Sequence, residues 1–179
     1  KDLTCELAMK LGRAAAAVLT NKSTRHPRVI IGKDTRLSSD MLENAMAAGL
    51  CSVGASVVLL GVVPTPAVAY LVEKYKADAG IMISASHNSY EYNGIKIFNS
   101  QGFKLPDELE GRIEDIILNK VPVPRKTGGD IGRVTYADQK ERQDYIDHLV
   151  STIDSDLSGL KILVDCANGA SSATAGRLF

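Results

Sequence analysis

A surplus of charge of either sign is missing: 21 Lys and Arg stand against 21 Asp and Glu in 179 residues, a formal net charge of +0. A chain without a basic excess has no electrostatic footprint for gripping a phosphate backbone, so nucleic acid is not an expected partner. Long apolar runs are missing too. The longest, such as Val57 to Val63, fall far short of the roughly 20 residues that a helix needs to cross a bilayer, and no membrane partner is expected. No signal-peptide pattern opens the sequence. Cysteine is scarce, with Cys5, Cys51 and Cys166 far apart and no CxxC pair among them. Such a set fits small buried hydrophobes in a reducing compartment better than disulfides or a zinc site, and the expected location is cytoplasmic.

Two phosphate-binding signatures are absent as well. After the first strand-like run, Gly32-Lys33-Asp34-Thr35-Arg36 offers one glycine, with neither GxGxxG nor a Walker-type loop. A non-catalytic Rossmann-like binding domain therefore stands only as an alternative. No GxSxG elbow is present, which disfavours an acyl-transfer hydrolase.

What is there reads as an ordinary globular chain, 45% hydrophobic and 23% charged, long enough for one domain and part of a second. Apolar residues Leu7, Leu11, Ala14, Ala15 and Val18 recur at helical steps, predicting a helix over 3–19. Strands are expected at Arg28 to Ile31, Val57 to Leu60 and Ala79 to Ile83. Between them lie a helix N-capped by Ser38-Ser39-Asp40 and ended by Gly54, and another running from Pro64 to about Tyr75. This alternation predicts an α/β fold, a mixed, mainly parallel sheet sandwiched by helices. Ile95 to Phe98 and Phe103 to Leu105, around Asn99-Ser100-Gln101-Gly102, predict a hairpin adding antiparallel strands at one edge. Further helices are expected from Pro106-Asp107 and over about 138–153, with a surface connection through Val121-Pro122-Val123-Pro124 and Gly128-Gly129. A boundary at 154–159 would divide the chain into a first domain, 1–154, and the start of a second similar α/β domain, 155–179. The second would begin with a strand at Lys161 to Asp165, a turn at Asn168-Gly169-Ala170 and a helix from Ser172.

One segment departs from what packing needs. Apolar Ile81-Met82-Ile83 runs into Ser84-Ala85-Ser86-His87-Asn88-Ser89-Tyr90-Glu91-Tyr92-Asn93-Gly94 before strand character returns at Ile95. Ligands of open parallel sheets gather beyond the carboxyl ends of strands, where this loop belongs. Hydroxyls, an imidazole, amides and the Lys96 ammonium are the groups phosphoryl transfer draws on: an oxygen nucleophile, a proton carrier and donors that balance phosphate charge. Taken alone, the same composition also suits a plain turn, because Ser and Asn bond to nearby backbone. A histidine metal site would need partners that His26 and His148 do not obviously supply.

The stretch from Ala79 to Asn88, followed by Asn93-Gly94-Ile95-Lys96-Ile97-Phe98, resembles the active-site signature of the α-D-phosphohexomutase family. Four further stretches agree in order: Gly32 to Arg36, Gly61-Val62-Val63-Pro64-Thr65-Pro66, Gly102-Phe103-Lys104-Leu105 and Val164 to Ala170. The third is similar to the glucosamine-phosphate branch, and the fourth to the opening of the family's second domain. One departure is visible: Ser89 stands where the family usually has proline, which removes a fixed φ but no reacting group.

The resemblance implies a phosphoserine at Ser86 rather than Ser84. It implies interconversion of glucosamine 6-phosphate and glucosamine 1-phosphate through a bound 1,6-bisphosphate, feeding amino-sugar and peptidoglycan-precursor synthesis. Mannose or glucose phosphates are the alternative substrates. It further implies Lys96 in proton transfer or charge stabilisation, His87 and Asn88 shaping the loop and bonding the phosphoserine, and Arg36 reaching the phosphate or pairing with Asp34 or Glu91. Mg²⁺ would be held through the phosphate on Ser86, with its remaining ligands beyond Phe179 and residues 1–179 inactive alone. A hexose 1,6-bisphosphate serves as activator, and a homodimer is compatible. Tyr90, Glu91 and Tyr92 receive no role.

Overall fold

The computed structural model describes residues 3–20, 26–154 and 157–179. Helix α1 (Cys5–Leu19) opens with the Thr4 side chain accepting the Leu7 N–H at 3.2 Å. Then follow β1 (Arg28–Lys33), α2 (Leu37–Cys51), β2 (Ser56–Val62), α3 (Thr65–Lys74), β3 (Ala79–Ile83), β4 (Ile95–Asn99), α4 (Asp107–Leu118), β5 (Val134–Tyr136), α5 (Gln139–Val150) and α6 (Ser172–Leu178). The sheet runs β4-β3-β1-β2-β5. Every pair is parallel except β3 with β4. The mainly parallel α/β sheet expected from the alternation is what forms.

Side chains of successive strand residues point to opposite faces, and the two faces have separate cores. Val29, Ile31, Val57, Leu59, Ile81 and Ile83 pack beneath α1 and α2, with Ile113 of α4 meeting α1 at Ala14, Ala15 and Val18. Ile30, Leu60 and Met82 face the other way, onto Val68, Leu71 and Val72 of α3 and Tyr145 of α5. No helix among the described residues is long and apolar enough to cross a membrane.

Helices α1 and α2 approach backbone to backbone. A Cβ on Gly49 would lie 2.2 Å from the Met9 carbonyl oxygen, and one on Gly12 2.7 Å from that of Met46. Gly49→Ala must push the helices apart. Overpacking of this kind costs about 3 kcal/mol, and a thermal melt of the chain is expected to show a clear drop in Tm. An unchanged Tm would mean that the helices slide freely past one another.

Four expectations need correction. Helix α2 starts at Leu37, with Arg36 as N-cap, and ends at Cys51 before Gly54. Ser38, Ser39 and Asp40 therefore sit inside its first turn, where both serine hydroxyls are engaged by neighbouring polar groups rather than capping the helix. The hairpin after β4 shrinks to a single bridge between Phe98 and Lys104. There the Asn99 carboxamide takes the N–H groups of Gln101 and Phe103, and Leu105 leaves the sheet to enter the α1–α4 core. The connection after α4 contains the unexpected strand β5, which pairs with Val57 to Leu59 of β2. Last, Lys161 to Asp165 is not part of any strand, and Leu163 is 98% exposed. A β segment needs a neighbour to satisfy its N–H and C=O groups, and none lies alongside among the described residues. The expected boundary falls partly on Ser155 and Asp156, outside the described residues.

Candidate active site

Three strand ends meet at one edge of the sheet. Lys33 of β1 lies in register with Val62 of β2 and Ile83 of β3. Just past them, the Asp34 N–H donates to the Ile83 carbonyl at 3.0 Å and the Val63 N–H to the Lys33 carbonyl at 3.1 Å. These bonds gather three motif turns, Asp34 to Arg36, Val63 to Thr65, and the loop from Ser84 to Gly94, around one cleft of about 600 Å³. Its lining includes Thr35, Ser86, His87, Asn88 and Tyr90, and on the far side the turn from Ala167 to Ser171. The Thr35 hydroxyl donates to the Asn168 carbonyl, tying that turn to the β1 end.

Ser86 is exposed in this cleft, and its φ is +59°. A left-handed conformation costs a non-glycine residue roughly 1–2 kcal/mol, so something must hold it. The Ser86 N–H donates to Ser84 Oγ at 3.0 Å, and the Ser86 carbonyl accepts from Arg36 Nη2 at 3.0 Å. Both neighbouring peptide units are thereby pinned. Ser84 itself is buried, only 5% exposed, and its hydroxyl lies near enough to Asp34 to help lower that carboxyl. The structure thus places Ser86 in the cleft and Ser84 beneath it.

Asp34 is the hub under the loop. Its carboxylate accepts from Arg36 Nε at 2.8 Å, the Arg36 N–H at 3.1 Å and Ser39 Oγ at 2.8 Å. Burial by itself would push this carboxyl up. The bonds from Arg36, Ser39, the Arg36 backbone and Ser84 outweigh it and hold the carboxyl below its ordinary range. Arg36 is largely buried and spreads over the loop backbone. Its Nη1 donates to the carbonyls of Ser89 at 2.6 Å and Tyr92 at 2.8 Å, and its Nη2 reaches Asn88 at 2.8 Å as well as Ser86. Asn93 closes the loop, donating to Ser38 and Ser39 at 3.0 and 3.1 Å while accepting the Gly94 N–H at 2.8 Å.

The remaining expected residues fall differently. His87 Nδ1 is 3.5 Å from Ser86 Oγ, at the outer limit of a hydrogen bond and too far to activate the hydroxyl in this arrangement. Asn88 lines the cleft. Lys96 is exposed on β4 opposite Met82, and lines an adjoining cavity with Lys104, Leu105 and Glu110 that shares Thr65 with the cleft. Glu91 is exposed, and its carboxyl is lowered by the Ser89 hydroxyl, its own backbone and the nearby Arg36 charge. His148 stacks on Tyr70 at 4.0 Å between ring centroids, well away from this loop's residues in the sequence. No group of three His, Cys, Asp or Glu among the described residues could hold a metal ion.

Sequence reasoning missed Ser38, Ser39, Ser84 and Asn93 as members of the network, and it left Asp34 as a mere ion-pair candidate. The signal was there: Ser84 and Asn93 belong to a motif stretch, Ser38 and Ser39 follow another within three residues, and each has a short polar side chain.

Comparison with known proteins identifies the family. Residues 1–122 match the family described as phosphoglucomutase/phosphomannomutase, alpha/beta/alpha domain I. The chain is 61% identical over 179 residues to phosphoglucosamine mutase of Caldanaerobacter subterraneus subsp. tengcongensis, covering 100% of this chain and 40% of that protein. It is 54% identical over 180 residues to phosphoglucosamine mutase of Clostridium botulinum, with the same coverage. A crystal structure of a phosphoglucomutase/phosphomannomutase family protein from Burkholderia thailandensis superposes with a TM-score of 0.78 at 28% identity, over 99% of this chain and 38% of that one. The chain therefore spans about two-fifths of the length of the curated relatives it matches.

Proposed function

Since the chain belongs to the phosphoglucomutase/phosphomannomutase family, we propose that it forms the phosphoserine-bearing part of a phosphoglucosamine mutase, with Ser86 as the phosphoryl carrier. The observation that carries this reading is the Ser86 geometry: an exposed hydroxyl at a strand end, on a residue held left-handed by bonds to both its peptide units. A serine backbone fixed in this way needs less reorganisation to hold its hydroxyl in line for phosphoryl transfer.

In the proposed cycle, the 1-hydroxyl of glucosamine 6-phosphate attacks the phosphorus on phosphorylated Ser86. The bond from phosphorus to Ser86 Oγ breaks, its electron pair stays on Oγ, and the proton of the attacking hydroxyl passes to Oγ. The bound 1,6-bisphosphate then turns round. Ser86 Oγ attacks the 6-phosphate, releasing glucosamine 1-phosphate with a proton on its 6-oxygen and restoring the phosphoserine. Lys96 serves in proton transfer or charge stabilisation, and His87 and Asn88 bond the phosphoserine oxygens. A phosphoserine carries about −1.5 to −2 charge at neutral pH, which calls for a cation close by. Mg²⁺ is the proposed cation, with the phosphate on Ser86 as one ligand. No group of three His, Cys, Asp or Glu among the described residues supplies its other ligands.

The rest of the proposal follows from the same reading: residues 1–154 as one domain, 155–179 as the start of the next, a cytoplasmic protein and compatibility with a homodimer. Glucosamine is favoured over mannose or glucose because the 61% and 54% identities are to proteins of that name.

The test is to incubate a full-length protein carrying this segment with Mg²⁺ and a labelled hexose 1,6-bisphosphate, then map the label by tandem mass spectrometry. Label on Ser86 that is lost on adding glucosamine 6-phosphate is the expected result. Label on Ser84 would move the nucleophile, and label on neither serine would sink the proposal.

A further inference from the structure

We propose, on the premise of that function, that Arg36 is a positioning residue that holds Ser86 through the loop backbone and does not bind the transferred phosphate. The inference starts from donor arithmetic. A guanidinium has five N–H donors and no acceptor. In Arg36, Nε is spent on Asp34, Nη1 on the carbonyls of Ser89 and Tyr92, and Nη2 on those of Ser86 and Asn88. All five are committed to acceptors of the protein itself. An arginine that grips a phosphate keeps two parallel N–H groups free for its oxygens.

The anchoring is as complete at the other end. The Asp34 carboxylate that receives Nε also accepts the Arg36 N–H and the Ser39 hydroxyl, so the base of the arginine is fixed to the end of β1 and the first turn of α2. The guanidinium therefore links a rigid sheet end to four carbonyls in a seven-residue loop, 86–92. One of these is the carbonyl of left-handed Ser86, whose N–H rests on Ser84 Oγ at 3.0 Å. The carbonyl side of the Ser86 Cα thus traces through Arg36 to the Asp34 carboxylate. Lysine could not replace this, since an ammonium has three donors and lacks the planar fork that reaches four carbonyls at once.

The test uses Arg36→Ala and Arg36→Lys in the full-length protein carrying this segment. Two readouts are needed, one of chemistry and one of the loop alone. For chemistry, displacement of the nucleophile by about 1 Å costs on the order of 100-fold, so label transfer to Ser86 and kcat are expected to fall by about that factor in both variants. KM for the sugar phosphate is expected to hold, because no donor to substrate is lost. Millimolar guanidinium should restore Arg36→Ala saturably, while ammonium should not. For the loop, amide hydrogen exchange of residues 86–92 is expected to speed up in both variants, with β1 and β3 unchanged.

A rise in KM with kcat retained would overturn the inference in favour of a phosphate contact. Unchanged loop exchange would overturn it even if activity fell. If the parent protein itself never labels Ser86, the proposed function fails, yet the exchange measurement still decides whether Arg36 holds the loop. Should Arg36→Ala not fold, Arg36→Lys keeps a charge beside Asp34 and carries the same readouts.

Discussion

Ser86→Ala in a full-length protein carrying this segment is expected to lower turnover by at least about 10⁴-fold and to abolish label uptake from a hexose 1,6-bisphosphate. The magnitude is that of losing a covalent nucleophile, for which no neighbouring group substitutes. Folding should be untouched: Ser86 is exposed, and alanine removes only the hydroxyl, whose one close polar neighbour is His87 at a marginal 3.5 Å. The informative contrast is Ser84→Ala. Ser84 is buried and accepts the Ser86 N–H, so its loss leaves a peptide N–H without its acceptor and slackens Ser86. That variant should still label on Ser86, with a rate reduced about 100-fold as expected for misplacement rather than removal. Steady-state kinetics with mass spectrometry of both variants separates the two roles. If Ser84→Ala abolished labelling while Ser86→Ala kept it, the assignment would be reversed.

How far the sequence could lead to this site depends on which forces set each element. Buried parallel strands write themselves plainly, because both faces demand apolar side chains; Ala79 to Ile83 was delimited to the residue. The edge strand β5 was invisible for the opposite reason. Its three residues are all exposed, and pairing with β2 gives Val-Thr-Tyr no apolar pattern to display. The start of α2 was misplaced because Ser38 and Ser39 have the composition of a cap while their hydroxyls bond Asn93 and Asp34. Local rules saw good capping residues, and tertiary partners 55 and 5 positions away took them. Arg36 shows the same limit. A motif can locate an arginine near a phosphate-handling loop, but only coordinates reveal that its donors are filled by carbonyls. Lys161 to Asp165 fails in yet another way, since its pattern is that of a strand and no strand among the described residues pairs with it.

The Asp34 hub leads to the second large effect, and it carries a sign that can be checked. Asp34→Asn replaces an acceptor-only carboxylate with an amide that can offer one oxygen, where the structure asks both carboxylate oxygens to accept, one from the Arg36 N–H and Ser39 Oγ and the other from Arg36 Nε. It also leaves the largely buried guanidinium without its counter-charge. Breaking one partner of a buried pair costs about 3–5 kcal/mol, and the lower end applies at a cleft edge that water reaches. For a chain of this size, about 3 kcal/mol corresponds to a Tm lower by roughly 6–12 °C. The pH dependence follows from the direction of the shift. The folded carboxyl titrates below its ordinary value of 3.8, so the unfolded chain binds the proton first as pH falls. The ion pair therefore contributes its full stability above the unfolded value and loses it progressively below, as pH descends through the folded one. Thermal melts between pH 7 and pH 2 should show Asp34→Asn well below the parent at neutral pH, with the gap narrowing only under pH 4. A gap constant across that range would mean that the carboxylate's charge contributes nothing and that Asp34 acts through shape alone. A gap that widened in acid would reverse the sign and remove the ion pair from the account of how Ser86 is held.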